Sequence, residues 1–368
     1  MDKPDLIELK DESTVIIDRQ LLIPNALLEP EYEKRKDPNV LTISDVPLEL
    51  VKDILMKLHP LELYSCYGVS EGIHRIVKKN LMHVEKLGVY FSDKVCVVFT
   101  DGMYCKYTKE SGQCGYGYGT WEKNEYGNYM EDEIPFESKE RIGSLKKVKY
   151  DEAGINVFVS ILTSPGNHLR NLMIHVKDEH NQKTFITKIE KALVSFGENL
   201  LVETVNFTHV TPKQVMRILT HLKPKTLKRI FISKNACGDE DNKTMRKMMR
   251  TEQVKNAKIF KPFFPTTVPI RKLLHLEEFL INRHRMTARE LANLKNSIFK
   301  HEHIESVEII IRNTTFDMEI ARRVLGPCLP HPTDPEYGIY HGPTGVIEIG
   351  MIREDDGLTS VFMVRALE

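Results

Sequence analysis

The chain has 368 residues, 41% hydrophobic and 28% charged, with 52 Lys and Arg balanced by 52 Asp and Glu. This is the composition of a globular protein with two or three domains, and it gives no net field that would favour nucleic acid or a membrane surface. The first residues are charged, and no apolar run approaches the roughly 18–20 residues that span a bilayer, so we expect neither a signal peptide nor a membrane segment. The six cysteines lack paired spacing, which predicts free thiols in a reducing compartment, the cytoplasm or the nucleus.

Residues 1–40 are polar and acidic and are broken by four prolines, so we predict a mostly extended leader. Residues 41–83 predict three short amphipathic helices. Ser44 and Asp45 are candidate N-caps for the first, and Pro47 suits its first turn, where a missing N–H costs nothing. A unit this small buries little surface by itself, so it needs a partner surface, either in its own chain or on another protein.

This three-helix unit has a Val-Pro-Leu-Glu opening, an Ile-Leu pair and further apolar residues at regular intervals. The residues concerned are Val46, Pro47, Leu48, Glu49, Val51, Ile54, Leu55, Leu58, Leu61 and Leu63. In these residues and their spacing the unit resembles the F-box. The resemblance implies that these residues bind a Skp-type adaptor protein, which links the chain to the cullin of a ubiquitin ligase.

Residues 84–150 are predicted to form a hairpin region and a linker. Asp101-Gly102 lies between two β-rich runs and is typical of a type I′ hairpin turn. The glycine-spaced run at 115–119 is predicted to be a loop or hairpin tip, because it lacks the strand-before and helix-after context of a phosphate-binding loop.

Residues 151–330 alternate between strand and helix patterns at intervals of about 25–32 residues, as in repeated βα units. Thr211-Pro212 marks one helix start, and Thr287 with Glu290 has the spacing of a capping box. Repeated βα units require parallel pairing, so we predict an α/β fold with a curved, leucine-rich-repeat-like solenoid and a mainly parallel sheet. A closed barrel or a doubly wound sheet is the alternative. Residues 331–368 predict a final hairpin around Asp356-Gly357.

This second region resembles the FTH domain, which follows the F-box in a large family of nematode F-box proteins. The resemblance rests on the runs HVTPKQVMRILTHLKPKTLKRIFI, TEQVKNAK and HLEEFLI, with Val254 where the family commonly has Trp. It implies a substrate adaptor of a ubiquitin ligase, in which the FTH region binds an unidentified target protein.

Strand alternation divides the predicted sheet into two faces. Apolar residues such as Val205 and Ile230 lie on the face that is expected to contact the helices. The opposite face interleaves apolar and charged side chains, as protein-binding surfaces do. It carries Asn206, Thr208, Arg229, Phe231, Glu278, Leu280, Glu308, Ile310 and Arg312. Alternatively, the hairpin region or the leader covers this face and makes it ordinary core.

The sequence contains no arrangement typical of catalysis, and we expect no enzyme activity, no cofactor and no metal. His301 and His303 lie at a predicted helix end, without a cysteine or carboxylate at usable spacing for zinc. Residues 222–261 carry twelve Lys and Arg against four acids, either for an acidic or nucleic-acid partner or as the solvated face of a helix. We favour the solvated face.

The hypothesis is therefore a ligase adaptor that binds a Skp-type protein with one end and a target with the other. One rival is a regulatory protein whose helical unit packs internally, and exposure of Leu48 and Ile54 would favour the adaptor over it. A nucleic-acid-binding adaptor is the less favoured rival.

Overall fold

The computed structural model describes residues 47–55, 57–58, 61, 84–101, 103–109, 113–118, 141–144, 149–164, 167–177, 182–197, 199–233, 239–312, 316–334, 336–355 and 357–366. The chain divides into two compact units, Met1–Leu200 and Leu201–Glu368. Of the residues predicted to form the F-box, the structure describes helix α1, Leu48–Leu55, and a few flanking positions. The second and third predicted helices and the leader lie outside the described residues.

Unit 1 contains a mixed sheet and two further helices. The strands are β1 (Lys86–Phe91), β2 (Val95–Thr100), β3 (Met103–Thr108), β4 (Gln113–Tyr118), β5 (Arg141–Ser144) and β6 (His168–Val176), and the helices are α2 (Tyr150–Leu162) and α3 (Gln182–Phe196). The strand order is β6-β1-β2-β3-β4-β5, with β1 parallel to β6 and the other pairs antiparallel.

The predicted hairpin at Asp101 is confirmed, since Thr100 pairs with Met103 across a two-residue connection. The predicted type I′ turn is wrong, because it requires a positive φ at Asp101, and among the described non-glycine residues only His209 has a positive φ. The Asp101 carboxylate also accepts hydrogen bonds from the N–H groups of Glu85 and Lys86, at 2.8 and 2.9 Å. The prediction of a loop is wrong for residues 115–118, because Gly115 and Gly117 pair in the ladder of β4. Gly119 lies outside the described residues. An extended strand points successive N–H groups in opposite directions, so this segment has no phosphate-cradle geometry.

The core of unit 1 forms where α2 packs on β1, β2 and β3. Its apolar face buries Val157, Phe158 and Ile161. Gly154 permits this approach: a Cβ built there would lie 2.2 Å from the Cys96 sulfur, so a larger residue would push the helix away. The Phe91 ring stacks on that of Phe185 in α3, with 4.5 Å between centroids.

Unit 2 contains five parallel strands followed by an antiparallel group. The strands are β7 (Leu201–Thr208), β8 (Arg229–Ser233), β9 (Ile259–Pro262), β10 (Glu278–Arg283), β11 (Ser306–Ile311), β12 (Leu329–Pro330), β13 (Tyr337–Gly342), β14 (Gly345–Arg353) and β15 (Thr359–Arg365). The order is β12-β13-β14-β15-β11-β10-β9-β8-β7. The predicted final hairpin is confirmed as β14–β15, and Gly357 in its turn has a φ of +81°.

The helices described in unit 2 are α4 (Pro212–Leu219), α5 (Asp239–Met248), α6 (Glu252–Lys255), α7 (Ala288–Lys300) and α8 (Met318–Leu325), with a 3₁₀ turn at Ile270–Lys272. The first four lie between parallel strands, whereas α8 follows β11 and leads into the antiparallel group. The parallel strands β7 to β11 are neighbours in sequential order, whereas a doubly wound sheet reverses its order at a switch point. The fold is thus mixed α/β with a mainly parallel central sheet, as predicted.

Four of the five parallel strands of unit 2 (β7, β8, β10 and β11) repeat one spacing of buried apolar residues. The first residue of the pattern precedes or begins the strand, and the others follow three and five positions later. The triplets are Val202, Val205 and Phe207; Leu227, Ile230 and Ile232; Leu276, Phe279 and Ile281; and Ile304, Val307 and Ile309. All twelve are at most 2% exposed, which confirms the predicted helix-facing side of the sheet.

Candidate functional site

Helix α1 splits its apolar residues between a buried and an exposed side. Val51 and Leu55 are 3% and 1% exposed, whereas Leu50 is 54% exposed, Pro47 is also exposed and Ile54 is half-buried. At 100° per residue, Pro47, Leu50 and Ile54 lie along one side of the helix, next to the buried side. We call these three residues the α1 stripe.

The predicted adaptor-binding residues therefore fall into three groups. Pro47 and Glu49 are exposed, Ile54 and Leu58 are half-buried, and Val51, Leu55 and Leu61 are buried. Val46, Leu63 and the side chain of Leu48 lie outside what the structure describes. Leu50 was not among the predicted residues, although its position three residues after Pro47 places it on the same side of the helix.

The second candidate surface is the side of the unit 2 sheet opposite the buried apolar triplets. Strand register places one row of side chains across it: Asn206, Phe231, Lys261, Leu280, Glu308 and Phe362. We call this side of the sheet, with its interleaved apolar and charged residues, the mixed face. Every residue that the sequence analysis assigned to this face lies on it.

The mixed face is neither fully open nor ordinary core. Asn206 and Leu280 are buried. Thr208, Phe231, Glu278, Glu308 and Ile310 are half-buried, and Arg229 and Arg312 are exposed. The sequence left open whether this face is exposed or covered; Leu280 is buried, whereas Phe231 and Ile310 are half-buried.

Two charged side chains form polar contacts on this face. Lys261 on β9 pairs with Glu278 on β10 at 3.1 Å. Arg312 follows β11, and its Nε donates to the Asn282 Oδ1 at 3.3 Å. Lys261, Asn282 and Phe362 lie on this face but were not predicted there. Alternation along β9 and β10 places the first two on this face, whereas Phe362 comes from an antiparallel strand that lies beside β11.

Polar side chains in the run Thr251–Asn256 stabilise the short helix α6, which lies within it. Thr251 caps the helix, and Glu252 pairs with Lys255 at 2.8 Å, which lowers the Glu252 pKa. Gln253 Nε2 donates to the carbonyl of Leu222 at 2.9 Å, beyond the end of α4. Val254 is fully buried, so this smaller side chain still fills a core position.

The basic surplus at 222–261 is partly neutralised by the fold. Lys228 pairs with Glu203 at 3.3 Å and Lys258 with Glu277 at 2.7 Å, and both of these acids lie outside the basic segment. Such pairing along a strand edge fits the solvated-face interpretation better than a continuous basic patch for nucleic acid.

Other candidate groups are structural. His301 ends α7 as its C-cap, and His303 Nε2 lies 2.8 Å from the carbonyl of Leu274. Within the described ranges, no group of three or more His, Cys, Asp or Glu side chains is arranged to hold a metal ion. In the same part of the chain, no helix is long and apolar enough to cross a membrane.

Comparison with known proteins agrees with the resemblance seen in the sequence. The family model of the FTH domain matches residues 183–327. The chain carries an FTH domain. A relative, F-box A protein 224 of Caenorhabditis elegans, is 20% identical over 302 residues, which cover 79% of this chain and 72% of the relative. No solved structure matches the chain.

The match accounts for the run Thr251–Asn256 and for strands β7 to β11, since all of them lie inside the FTH domain. The mixed face is built mainly by the same domain, although Phe362 comes from beyond its end. The F-box resemblance concerns residues outside the FTH match, and it stays a prediction.

Proposed function

We propose that this protein is a non-catalytic adaptor of a Skp–cullin–F-box ubiquitin ligase, active in the cytoplasm or nucleus. The α1 stripe binds a Skp-type adaptor, and the mixed face of the FTH region binds the protein to be ubiquitinated. The observation that carries the proposal is the exposed apolar side of α1 in a chain that also contains an FTH domain. Similarity to a protein named as an F-box protein supports it.

The two sides of α1 have different roles, one in packing and one in binding. Val51 and Leu55 pack within the chain and hold the helix in place, while the α1 stripe remains for a partner. Burial of each aliphatic side chain in a partner groove contributes about 1.5–3 kcal/mol before the costs of association. A bound target is ubiquitinated faster because it is held close to the ligase, so the adaptor itself needs no catalytic group.

Pull-down of a purified Skp-type adaptor by the full chain tests the first half. We expect the double variant Leu50→Asp, Ile54→Asp to lose binding, because two carboxylates would be desolvated in the groove. Lys52→Asp is the matched control: it places the same residue type on the exposed polar side of α1 and should bind as the wild type does. All three proteins should have the same midpoint temperature of thermal unfolding. Undiminished binding by the double variant would refute docking through the α1 stripe.

A second candidate is a regulatory protein whose helical unit is purely internal, which the burial of Val51, Leu55 and Leu61 favours. In that case the wild type binds no Skp-type adaptor, and the double variant changes neither binding nor stability.

A further inference from the structure

Glu308 is a carboxylate in an apolar setting on the mixed face. In the register of the sheet it lies between Leu280 on β10 and Phe362 on β15, and Ile310 follows two positions along β11. The residue is half-buried, and burial raises the pKa of its carboxyl group, against which the charge of Lys261 acts.

The Glu308 carboxylate lacks a direct partner. Within the described part of the chain it makes no hydrogen bond or ion pair, and the nearby Lys261 is held 3.1 Å from Glu278. Withdrawing a carboxylate from water costs free energy unless a cation or a donor offsets it. Glu308 therefore presents a carboxylate that Lys261 offsets without pairing to it, one strand from the Phe362 end of the row.

Asn282 adds a second unmet polar group on the same face. Its side chain is fully buried, and the Nδ2 group has no hydrogen-bond partner among the described residues. Buried amide groups without partners are uncommon in folded proteins. Because this amide is closed to solvent, it lies beneath the face and does not itself contact a ligand.

The apolar residues of the row set the length of segment that fits. Phe231 and Phe362 are half-buried and lie on β8 and β15, with β9, β10 and β11 between them. Four strand spacings of about 4.8 Å give roughly 19 Å, which an extended peptide crosses with about six residues.

We propose that the mixed face binds an extended segment of the target protein in which a Lys or Arg is flanked by apolar residues, with the basic side chain paired to Glu308. The apolar residues of the segment contact Phe231 and Phe362. This inference rests on the proposed target-binding role of the mixed face and adds the chemistry of what is bound.

An array of synthetic peptides of about ten residues, longer than the segment that spans the row, tests this with the full-length chain. Each peptide carries one central Lys or Arg between apolar residues, and its matched copy carries Gln there. We expect the wild type to retain the basic peptides at least about tenfold more strongly. Glu308→Gln should remove that preference, while Glu302→Gln, which changes an exposed glutamate outside the face, should keep it.

A third variant, Phe231→Glu, distinguishes failure of this inference from failure of the proposed target-binding role of the mixed face. If Phe231→Glu abolishes retention and Glu308→Gln keeps the basic preference, the face binds targets but the role of Glu308 is wrong. If neither variant changes retention, target binding by the mixed face is wrong as well. A wild-type chain without preference for basic peptides also overturns the inference.

Discussion

Lys261 and Glu278 form an ion pair on the mixed face, with 3.1 Å between Nζ and Oε2 and side chains only 21% and 29% exposed. The pair joins β9 to β10 beside the buried Leu280. Because both groups are largely withdrawn from water, each depends on the other more than partners at a surface do.

We predict that Lys261→Met destabilises unit 2 by about 1–3 kcal/mol, since it leaves Glu278 unpaired in a partly desolvated place. Glu278→Gln should restore part of the loss. A double-mutant cycle by urea unfolding measures the coupling, which we expect to be about 1 kcal/mol. Additive effects of the two changes would show that the pair contributes nothing.

The stability contributed by Glu308 should depend on pH. Burial raises its pKa in the folded chain above the unfolded value, so between the two values the folded state binds more protons. Stability from this group is therefore present below the unfolded pKa and is lost as pH rises through the folded pKa. Glu308→Gln removes the titration, so its stability relative to wild type should improve from acidic to neutral pH. Unfolding at several pH values measures this, and a constant difference would contradict it.

Arg365, at the end of β15, donates hydrogen bonds to four backbone carbonyl oxygens of unit 2. Its guanidinium donates to Ile298, Ile304 and Thr344 at 2.7, 3.1 and 2.8 Å, and to His301 at 3.3 Å. Ile298 and His301 lie at the carboxyl end of α7, where a cation is favourable.

We expect Arg365→Met to cost about 2–4 kcal/mol, because several carbonyls lose a charged donor at once. Arg365→Lys should recover less than half, since one ammonium group cannot reproduce the guanidinium fork. Arg323→Met, at an exposed position on α8, is the control and should change stability by less than about 0.5 kcal/mol. A loss for Arg365→Met no larger than that of the control would refute the role.

Local signals in the sequence predicted much of the FTH region, because helix caps and strand alternation depend only on residues that are close together in the chain. The Thr287–Glu290 capping box is present, with the Thr287 hydroxyl oxygen accepting from the Glu290 N–H at 3.2 Å, and Thr211 caps the helix that begins at Pro212. Alternation of apolar residues assigned both faces of the parallel sheet correctly.

What could not be predicted depends on contacts between distant residues. Phe362 joins the mixed face because β15 pairs with β11, and no local pattern shows where a C-terminal hairpin will dock. Leu280 is buried on the mixed face, and alternation along β10 shows only which face it lies on. On α1, the apolar spacing was clear, but the division between Val51 and Leu50 depends on which side the rest of the chain covers.

The cysteines provide a chemical test of the two units. Cys96 and Cys105 are buried in unit 1, and burial strongly raises the pKa of the Cys96 thiol, whereas Cys328 in unit 2 is exposed. Because the thiolate is the form that reacts, we expect iodoacetamide to label Cys328 in the folded chain at least about 100-fold faster than Cys96 or Cys105. Mass spectrometry of the peptides that contain these residues measures the three rates. In urea the rates should converge, because unfolding removes the protection. Labelling of Cys96 in the native chain as fast as Cys328 would mean that α2 does not cover β2 as the structure describes.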